Sequence, residues 1–215
     1  MMTTKEEMIE RQLKGRGIHD PKVINAMWEV DRSIFVPDDI LEHTYEDRAL
    51  PIGKEQTISQ PYIVAYMAQA LDLSPNDVVL EIGTGCGYNA AVLSRIVSHV
   101  YSIEVIEWLA NLAKQNLREV GYRNITIRHG DGYKGWPEEA PFDAIVLTAA
   151  PPAIPEPLKL QLKIGGRLLA PVGTGIQQLV LLERTGKDFF EDTPLLPVQF
   201  VPMTGEAQKR PGSSS

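Results

Sequence analysis

The residues best suited to chemistry in this chain form a glycine-rich loop. An apolar run rich in β-branched residues, Val78–Ile82, ends within the sequence EIGTGCG, and a helix-like run follows. Glycine allows positive φ and lets a ligand lie against the main chain. The next helix offers its free N–H groups to a carboxylate or phosphate. We therefore predict that Gly83, Thr84, Gly85 and Gly87 bind a ligand at the end of a strand.

The spacing of these glycines indicates the class of ligand. A dinucleotide fingerprint has the form G-x-G-x-x-G, whereas this loop has the form G-x-G-x-G and places Tyr88 where the third glycine would stand. The chain also contains no G-x-x-x-x-G-K-[ST] sequence, which is the pattern of a phosphate-binding P-loop. An NAD site and a P-loop are therefore both disfavoured.

Two acidic residues follow the loop at the ends of later strand-like runs. Glu104 ends the second run, where a carboxylate can accept hydrogen bonds from a ribose diol. Asp131 follows the third run, between Gly130 and Gly132, where a carboxylate can accept from the amine of adenine. Taken singly, the loop is an ordinary βα turn, Glu104 a helix cap and Asp131 a turn residue. Their joint placement on successive strand ends favours an adenosine-containing cofactor.

The N-terminal third of the chain, before the first of these strands, is predicted to form helices that pack against the sheet. Thr4 and Glu7 form a capping-box pattern, which predicts a helix from Lys5 to about Lys14, ended by Gly15. Asp20-Pro21 begins a second helix, which runs to about Val30. We expect loops and short strands over residues 31–60, because few periodic runs occur there. Pro61 then opens a helix that extends to Leu71.

After residue 75, strand-like and helix-like runs alternate, which indicates βαβ units and a mostly parallel sheet. Gly165-Gly166 is predicted to turn the chain into the fifth strand. A short connection joins Gln178–Arg184 to Leu195–Val201, which predicts an antiparallel edge. The fold class is therefore α/β, a doubly wound sheet with an antiparallel edge and N-terminal helices. Strands are predicted at Val78–Ile82, Val100–Ile103, Ile125–Arg128, Ala144–Thr148 and Arg167–Val172, and helices at Asn89–Ile96, Trp108–Val120 and Pro155–Leu162.

Length and composition predict a single domain. The 215 residues are 43% hydrophobic and 23% charged, enough for one core and a solvated surface. We expect an N-terminal helical segment over residues 1–74, a cofactor-binding sheet over residues 75–208, and a disordered polar tail over residues 209–215. The chain is expected to act as a monomer.

Charge and residue usage exclude several classes of partner. A formal net charge of −7 argues against a nucleic-acid substrate, which needs clustered Lys and Arg. No run of about 18 apolar residues occurs, so no membrane span is expected. Cys86 is the only cysteine, which fits a cytoplasmic location and cannot build a zinc site with four dispersed histidines. No metal is predicted.

The segment upstream of the loop carries a family resemblance. Residues 49–61 read ALPIGKEQTISQP, and the sequence TIS followed one residue later by proline resembles the substrate-side motif of protein-L-isoaspartate O-methyltransferases. The G-x-G-x-G loop resembles the first motif of Rossmann-like methyltransferases, which wraps the amino-acid end of S-adenosylmethionine. The resemblance covers nearly the whole chain, and its further motifs are Arg32–Pro37, Tyr45–Asp47, Gly130–Gly132, Phe142–Val146 and Val201–Thr204.

The resemblance implies a reaction and a set of roles. The expected reaction is methyl transfer from S-adenosyl-L-methionine, giving S-adenosyl-L-homocysteine, to isoaspartyl or D-aspartyl carboxylates of damaged proteins, which begins their repair. Ser59 is implied as the active-site serine that orients the carboxylate, and Val201 as a main-chain contact for the substrate. The residues implied to contact the cofactor, besides those named above, are Thr57, Ile58, Gly132, Thr204 and Gln208.

Alternatives remain at both the residue and the function level. Ser59 precedes Pro61, and from the residues alone a helix cap is the favoured interpretation of such a serine. The glycine loop is also compatible with a methyltransferase that acts on a small molecule, with an NAD-dependent oxidoreductase, and with a non-catalytic nucleoside-binding module. The TIS segment and the VPMT segment at residues 201–204 are what favour a protein substrate.

Overall fold

The computed structural model describes residues 2–209 and contains a seven-stranded sheet and a separate hairpin. The predicted tail at residues 209–215 lies outside the described residues except for Lys209, which ends the last helix. The strands are β1 (Leu50–Gly53), β2 (Gln56–Ile58), β3 (Val78–Ile82), β4 (His99–Glu104), β5 (Ile125–His129), β6 (Phe142–Leu147), β7 (Leu162–Val172), β8 (Gln177–Arg184) and β9 (Phe190–Val198). The α-helices are α1 (Lys5–Glu7), α2 (Pro21–Glu29), α3 (Pro61–Ala70), α4 (Tyr88–Ser94), α5 (Glu107–Val120), α6 (Glu156–Leu160) and α7 (Glu206–Lys209).

The order of strands in the large sheet is β5-β4-β3-β6-β7-β8-β9. The first five strands of this order, β5, β4, β3, β6 and β7, pair in parallel. β8 pairs antiparallel with β7, and β9 pairs antiparallel with β8 at the edge. Chain order reverses on either side of β3, so the carboxyl ends of β3, β4 and β6 meet at a topological switch point, where ligands bind in such sheets. The predicted mostly parallel sheet with an antiparallel edge is confirmed.

The central strands are buried on both faces, as expected for parallel strands covered by helices. Val79 packs into one apolar cluster with α2, α3 and α4. Its neighbour Leu80 packs into a second cluster with α6 and α7. Alternate residues of β3 therefore pack against the helical layers on both faces of the sheet. This packing fixes the position of the carboxyl end of β3, where the glycine loop begins.

The prediction that Gly15 ends the first helix is wrong. α1 continues as a π-helix and then a 3₁₀ turn to Arg16, and the chain leaves the helical conformation at Gly17, where φ is 90°. Gly15 keeps its place within the helix because only Gly17 takes the left-handed conformation typical of a helix end. The predicted capping box of Thr4 and Glu7 is confirmed.

The prediction that Gly165-Gly166 is a turn before the fifth strand is also wrong. β7 begins at Leu162 and includes both glycines, and its pairing with β6 shifts register between Phe142 and Ala144. A Cβ at Gly166 would lie 2.9 Å from the main-chain oxygen of Asp143. The glycine pair therefore forms an irregularity within the strand, where two main chains approach closely.

Candidate functional site

The glycine loop lies at the carboxyl end of β3, and each of its glycines has positive φ. The φ angles are 100° at Gly83, 56° at Gly85 and 94° at Gly87. A Cβ at Gly83 would lie 2.4 Å from the Oγ1 atom of Thr148, so no larger residue fits there without moving the end of β6. Gly87 is the N-cap of α4 and faces α5 rather than the cleft described below.

A buried polar network lies beneath the loop. The carboxylate of Glu81 is fully buried and accepts hydrogen bonds from Asn89 Nδ2 at 2.8 Å and from Ser102 Oγ at 2.5 Å. The Ser102 hydroxyl also lies 2.6 Å from Thr84 Oγ1. Burial raises the pKa of Glu81 to about 7, although both hydrogen bonds act to lower it. One carboxylate therefore connects the loop residue Thr84 to the first turn of α4.

Glu104 ends β4 with a side chain that is 5% exposed. Its carboxylate accepts hydrogen bonds from the N–H groups of Gly85 at 2.8 Å and of Ile106 at 3.0 Å. Burial raises the pKa of Glu104, and these two N–H groups oppose that shift. Each carboxylate oxygen has a second lone pair, so Glu104 can hold the glycine loop and still accept from a ligand hydroxyl group.

Asp131 and Gln208 both bind the C-terminal segment. Asp131 accepts from the N–H groups of Tyr133 at 2.9 Å and Glu206 at 2.8 Å. Gln208 donates through Nε2 to the carbonyl oxygen of Met203 at 2.8 Å. Both side chains therefore fix the end of the chain beside the sheet, and their predicted contact with the cofactor stays a prediction.

A cleft, here called the glycine-loop cleft, opens over the carboxyl ends of β3 and β4. It brings together residues from the hairpin, the loop, Glu104 and the C-terminal segment. Three predicted residues, Gly87, Asp131 and Gln208, do not line it. The predicted residues that do line it are Thr57, Ile58, Ser59, Gly83, Thr84, Gly85, Glu104, Gly132, Val201 and Thr204. The sequence predictions missed Val105, Ile106, Leu109, Thr148, Pro202 and Met203 among its walls.

A second pocket, here called the strap groove, adjoins the cleft. One wall includes Gln60 and Ile63, and the other is formed by residues 197–201. Residues 199–204 follow β9 and are here called the strap. The cleft and the groove share four lining residues, Thr57, Ser59, Thr148 and Val201. These four residues therefore stand at the junction between the two spaces.

The hydroxyl of Ser59 makes no hydrogen bond within residues 2–209. The N-cap of α3 is Gln60, and no side chain forms a cap hydrogen bond there. The interpretation of Ser59 as a helix cap is therefore wrong, because Pro61 at the first helical position lacks the N–H group and preorganises the helix. The hydroxyl of Ser59 remains available to a ligand at the junction.

The strap is held to the central sheet by main-chain hydrogen bonds. The N–H group of Ala150 donates to the carbonyl oxygen of Val201, and the N–H group of Met203 donates to the carbonyl oxygen of Ala150, both at 2.8 Å. The N–H group of Val201 has no hydrogen-bond partner among the described residues. The strap therefore carries an unused main-chain donor at the junction.

The hairpin of β1 and β2 is held against the cleft at its tip. A Cβ at Gly53 would lie 3.4 Å from two ring carbons of Trp108, and Lys54 Nζ lies 5.9 Å from the centre of that ring. Trp108 stands in the first turn of α5, just after the cleft residues Val105 and Ile106. The tryptophan therefore bridges the two rims of the cleft.

Other reactive groups in the cleft are inert or absent. Burial raises the pKa of the Cys86 thiol to about 11, so this residue is not a thiolate nucleophile at neutral pH. Within residues 2–209, no three His, Cys, Asp or Glu side chains cluster as metal ligands would. The site thus offers orienting groups rather than a nucleophile.

No helix in residues 2–209 is long and apolar enough to cross a membrane.

Known proteins are similar to this chain over almost its whole length. The family described as Protein-L-isoaspartate(D-aspartate) O-methyltransferase (PCMT) matches residues 3–208. Protein-L-isoaspartate O-methyltransferase 2 of Pelobacter propionicus is 55% identical over 203 residues, which cover 94% of this chain and 90% of the relative. Protein-L-isoaspartate O-methyltransferase 1 of Geotalea uraniireducens is 53% identical over 205 residues, which cover 94% of each chain.

Solved structures agree with the sequence relatives. A protein-L-isoaspartate O-methyltransferase superposes with a TM-score of 0.86 at 33% identity, and the match covers 95% of this chain and 67% of that one. A candidate member from Plasmodium falciparum, in complex with S-adenosyl-L-homocysteine, superposes with a TM-score of 0.81 at 26% identity, covering 93% and 97%. The likeness therefore extends well beyond the glycine loop.

Proposed function

The chain belongs to the protein-L-isoaspartate(D-aspartate) O-methyltransferase family, and from this premise we propose how its two pockets perform the reaction. The enzyme transfers a methyl group from S-adenosyl-L-methionine to the free carboxylate of L-isoaspartyl or D-aspartyl residues in damaged proteins, which initiates their repair. S-adenosyl-L-homocysteine is the second product. The fold is the Rossmann-like methyltransferase fold predicted from the sequence.

The observation that carries the proposal is the shared junction of the cleft and the groove. The glycine-loop cleft suits S-adenosyl-L-methionine, because Gly83 and Gly85 let a ligand lie against the main chain and the buried carboxylate of Glu104 also lines the cleft. The strap groove is an extended space beside it, lined in part by the strap. A cofactor in the first pocket and a peptide in the second meet at Ser59 and Thr148.

The chemistry at the junction needs alignment more than activation. When bound, S-adenosyl-L-methionine supplies a methyl group on a positively charged sulfur. An isoaspartyl carboxylate is already ionised at neutral pH, because carboxyl groups titrate near about pH 4. No general base is required, and none of the four histidines lines either pocket. Alignment of reacting groups lowers barriers by up to roughly 7–11 kcal/mol in well-oriented systems.

Ser59 is assigned to the substrate carboxylate. Its free hydroxyl can donate one hydrogen bond, which orients the carboxylate without protonating it. The free N–H group of Val201 is assigned to the substrate main chain, in the manner of an added strand. Main-chain recognition would let the enzyme accept many surrounding sequences. Thr57, Ile58, Gly85 and Thr204 are assigned to the cofactor.

The remaining features of the molecule are proposed on chemical grounds. A net charge of −7 supports proteins rather than nucleic acids as partners. We propose a cytoplasmic location because Cys86 is the only cysteine. We also propose that the enzyme acts as a monomer and that the chain, residues 1–215, is a single methyltransferase domain.

A methylation assay with paired peptides tests the proposal. One hexapeptide contains an isoaspartyl residue and its partner contains a normal aspartyl residue at the same position. We expect methylation of the first peptide only, and binding of S-adenosyl-L-homocysteine but not of NAD by calorimetry. Equal methylation of both peptides, or transfer only to small molecules, would overturn the assignment of the substrate. Binding of NAD would overturn the assignment of the cofactor.

A further inference from the structure

Gln177 holds the strap through two hydrogen bonds from a single side chain. Its Nε2 atom donates to the carbonyl oxygen of Phe200 at 2.9 Å, and its Oε1 atom accepts from the N–H group of Phe200 at 2.6 Å. Gln177 is 6% exposed, so water does not compete for these bonds. Phe200 lines the strap groove, whereas Gln177 lines neither pocket.

The position of Gln177 explains why a side chain does this. β8 begins at Gln177, and the ladder between β8 and β9 ends where Gln177 pairs with Val198. Two residues further along the chain, Phe200 has no main-chain partner left on β8. A glutamine amide has one carbonyl oxygen and one NH₂ group, the same donor and acceptor pair as a peptide group. The side chain therefore extends the ladder by one pair.

The strap consequently has two anchors with different functions. Gln177 holds Phe200 beside the strap groove. The main chain of Ala150 holds Val201 and Met203, and Met203 lines the glycine-loop cleft. The unused N–H group of Val201 lies between these anchors. Loss of the first anchor should release the groove side while the cofactor side stays attached to the sheet.

We propose that Gln177 is a positioning residue for the protein substrate, acting through Phe200 to hold the strap in the conformation that presents the Val201 N–H group. The inference rests on the proposed function of the strap groove. It assigns substrate affinity, and not cofactor affinity, to a residue that touches neither ligand. A glutamine with a purely structural role would change both affinities, or neither.

The first experiment replaces Gln177 by methionine, a residue of similar shape that has no donor and only a weakly accepting sulfur. For Gln177→Met we expect the KM for an isoaspartyl hexapeptide to rise about tenfold, the loss expected for one or two hydrogen bonds. The dissociation constant of S-adenosyl-L-homocysteine should stay within about twofold of the wild-type value. Gln178→Met is the matched control, because Gln178 lies in the same strand and its side chain makes no hydrogen bond within residues 2–209.

A second variant, Gln177→Glu, tests whether both hydrogen bonds to Phe200 are needed, because its ability to donate depends on pH. In Gln177→Glu the introduced carboxyl group can both donate and accept when protonated, but can only accept when ionised. A glutamate carboxyl group has a pKa near about 4.3 in water, and burial at this position, which is 6% exposed, raises that pKa. We therefore expect the KM of this variant for the peptide, divided by the wild-type value at the same pH, to fall towards one as the pH is lowered. Gln178→Glu should show no such trend.

The outcomes separate this inference from the proposed function. A folded Gln177→Met enzyme with wild-type KM for the peptide would overturn the inference, and so would equal weakening of peptide and cofactor. If the wild-type enzyme does not methylate the peptide, the proposed function fails instead. In that case amide hydrogen exchange at Phe200 still tests the anchor: we expect exchange at least about tenfold faster in Gln177→Met, and an unchanged rate would exclude it. Should Gln177→Met not fold, the pH trend of Gln177→Glu decides.

Discussion

The glycine-loop cleft and the strap groove share four lining residues, yet they are built in different ways. The cleft stands on the carboxyl ends of parallel strands, and the buried carboxylates of Glu81 and Glu104 hold its loop from below and from the side. The groove lies between α3 and the end of β9 with the strap that follows it, and residues 199–201 of its wall stand outside regular strands. The cofactor site is therefore part of the sheet, whereas the substrate site is attached to it.

This difference separates what each region recognises. A rigid site with buried, hydrogen-bonded carboxyl groups suits one cofactor whose shape does not vary. A groove with no charged side chain among its described lining residues and with an unused main-chain donor suits substrates that share only a peptide backbone and one unusual carboxylate. Variants in the cleft should therefore change cofactor affinity, and variants in the groove should change kcat/KM for the peptide at unchanged cofactor affinity.

The largest effect is expected for Gly83→Ala, which tests the rigidity of the cleft. The added Cβ would stand 2.4 Å from Thr148 Oγ1, and the residue would keep a φ of 100°, a conformation costing about 1–3 kcal/mol for non-glycine residues. We expect affinity for S-adenosyl-L-homocysteine to fall at least about hundredfold by calorimetry. Gly130→Ala is the control, because a Cβ there meets no atom within 4 Å. Equal affinities for the two variants would mean that Thr148 and the loop move to accept the added Cβ without disturbing the cofactor site.

A smaller effect, on methylation of the substrate rather than on cofactor affinity, is expected for Ser59→Ala. A hydrogen bond to a charged group contributes about 1.5–3 kcal/mol, so we expect kcat/KM for an isoaspartyl peptide to fall about tenfold to hundredfold. Affinity for S-adenosyl-L-homocysteine and the thermal midpoint should hardly change, because the hydroxyl has no partner within residues 2–209. Single-turnover methylation measures the loss. Wild-type turnover in the folded variant would leave main-chain N–H groups as the holders of the carboxylate.

The smallest effect concerns stability and the buried network under the loop. Burial raises the pKa of Glu81 from 4.5 to about 7, so the native state binds more protons than the unfolded state between those values. The free energy of unfolding therefore falls as pH rises through this window. The amide introduced by Glu81→Gln cannot titrate, so we expect the thermal midpoint of this variant to rise relative to wild type as the pH increases from about 5 to about 8, by about 2–4 °C for each kcal/mol that the wild type loses. A midpoint difference independent of pH would show that Glu81 keeps an ordinary pKa.

The two regions also differ in how far the sequence predicts them. The glycine spacing and the acidic residues at strand ends indicate an adenosine cofactor because strand order brings those ends together. The substrate side rests on the resemblance carried by the TIS segment, since an isolated serine before a proline is typical of a helix start. The residues alone favour a cap at Ser59, and only the position of Gln60 as the N-cap excludes it.

Residues that act over long sequence distances escaped prediction. Gln177 and Phe200 are 23 residues apart, and nothing in either residue type indicates that a side chain completes the ladder. Glu81 did leave a signal, because a carboxylate in an otherwise apolar buried strand must find partners. Those partners, Ser102 and Asn89, could not be chosen from the sequence. The helix end at Gly17 was missed because φ, and not residue type, distinguishes it from Gly15.

Trp108 gives the molecule an optical marker for the opening of its cleft. The indole is 49% exposed, and it rests on the hairpin tip at Gly53, with Lys54 beside its ring. A movement of that hairpin away from α5 would remove one face of the ring from protein and place it in water. In a variant whose other two tryptophans, Trp28 and Trp136, are replaced by phenylalanine, the emission of Trp108 should therefore shift to longer wavelength when the cleft opens, which would allow its closure to be timed without any label.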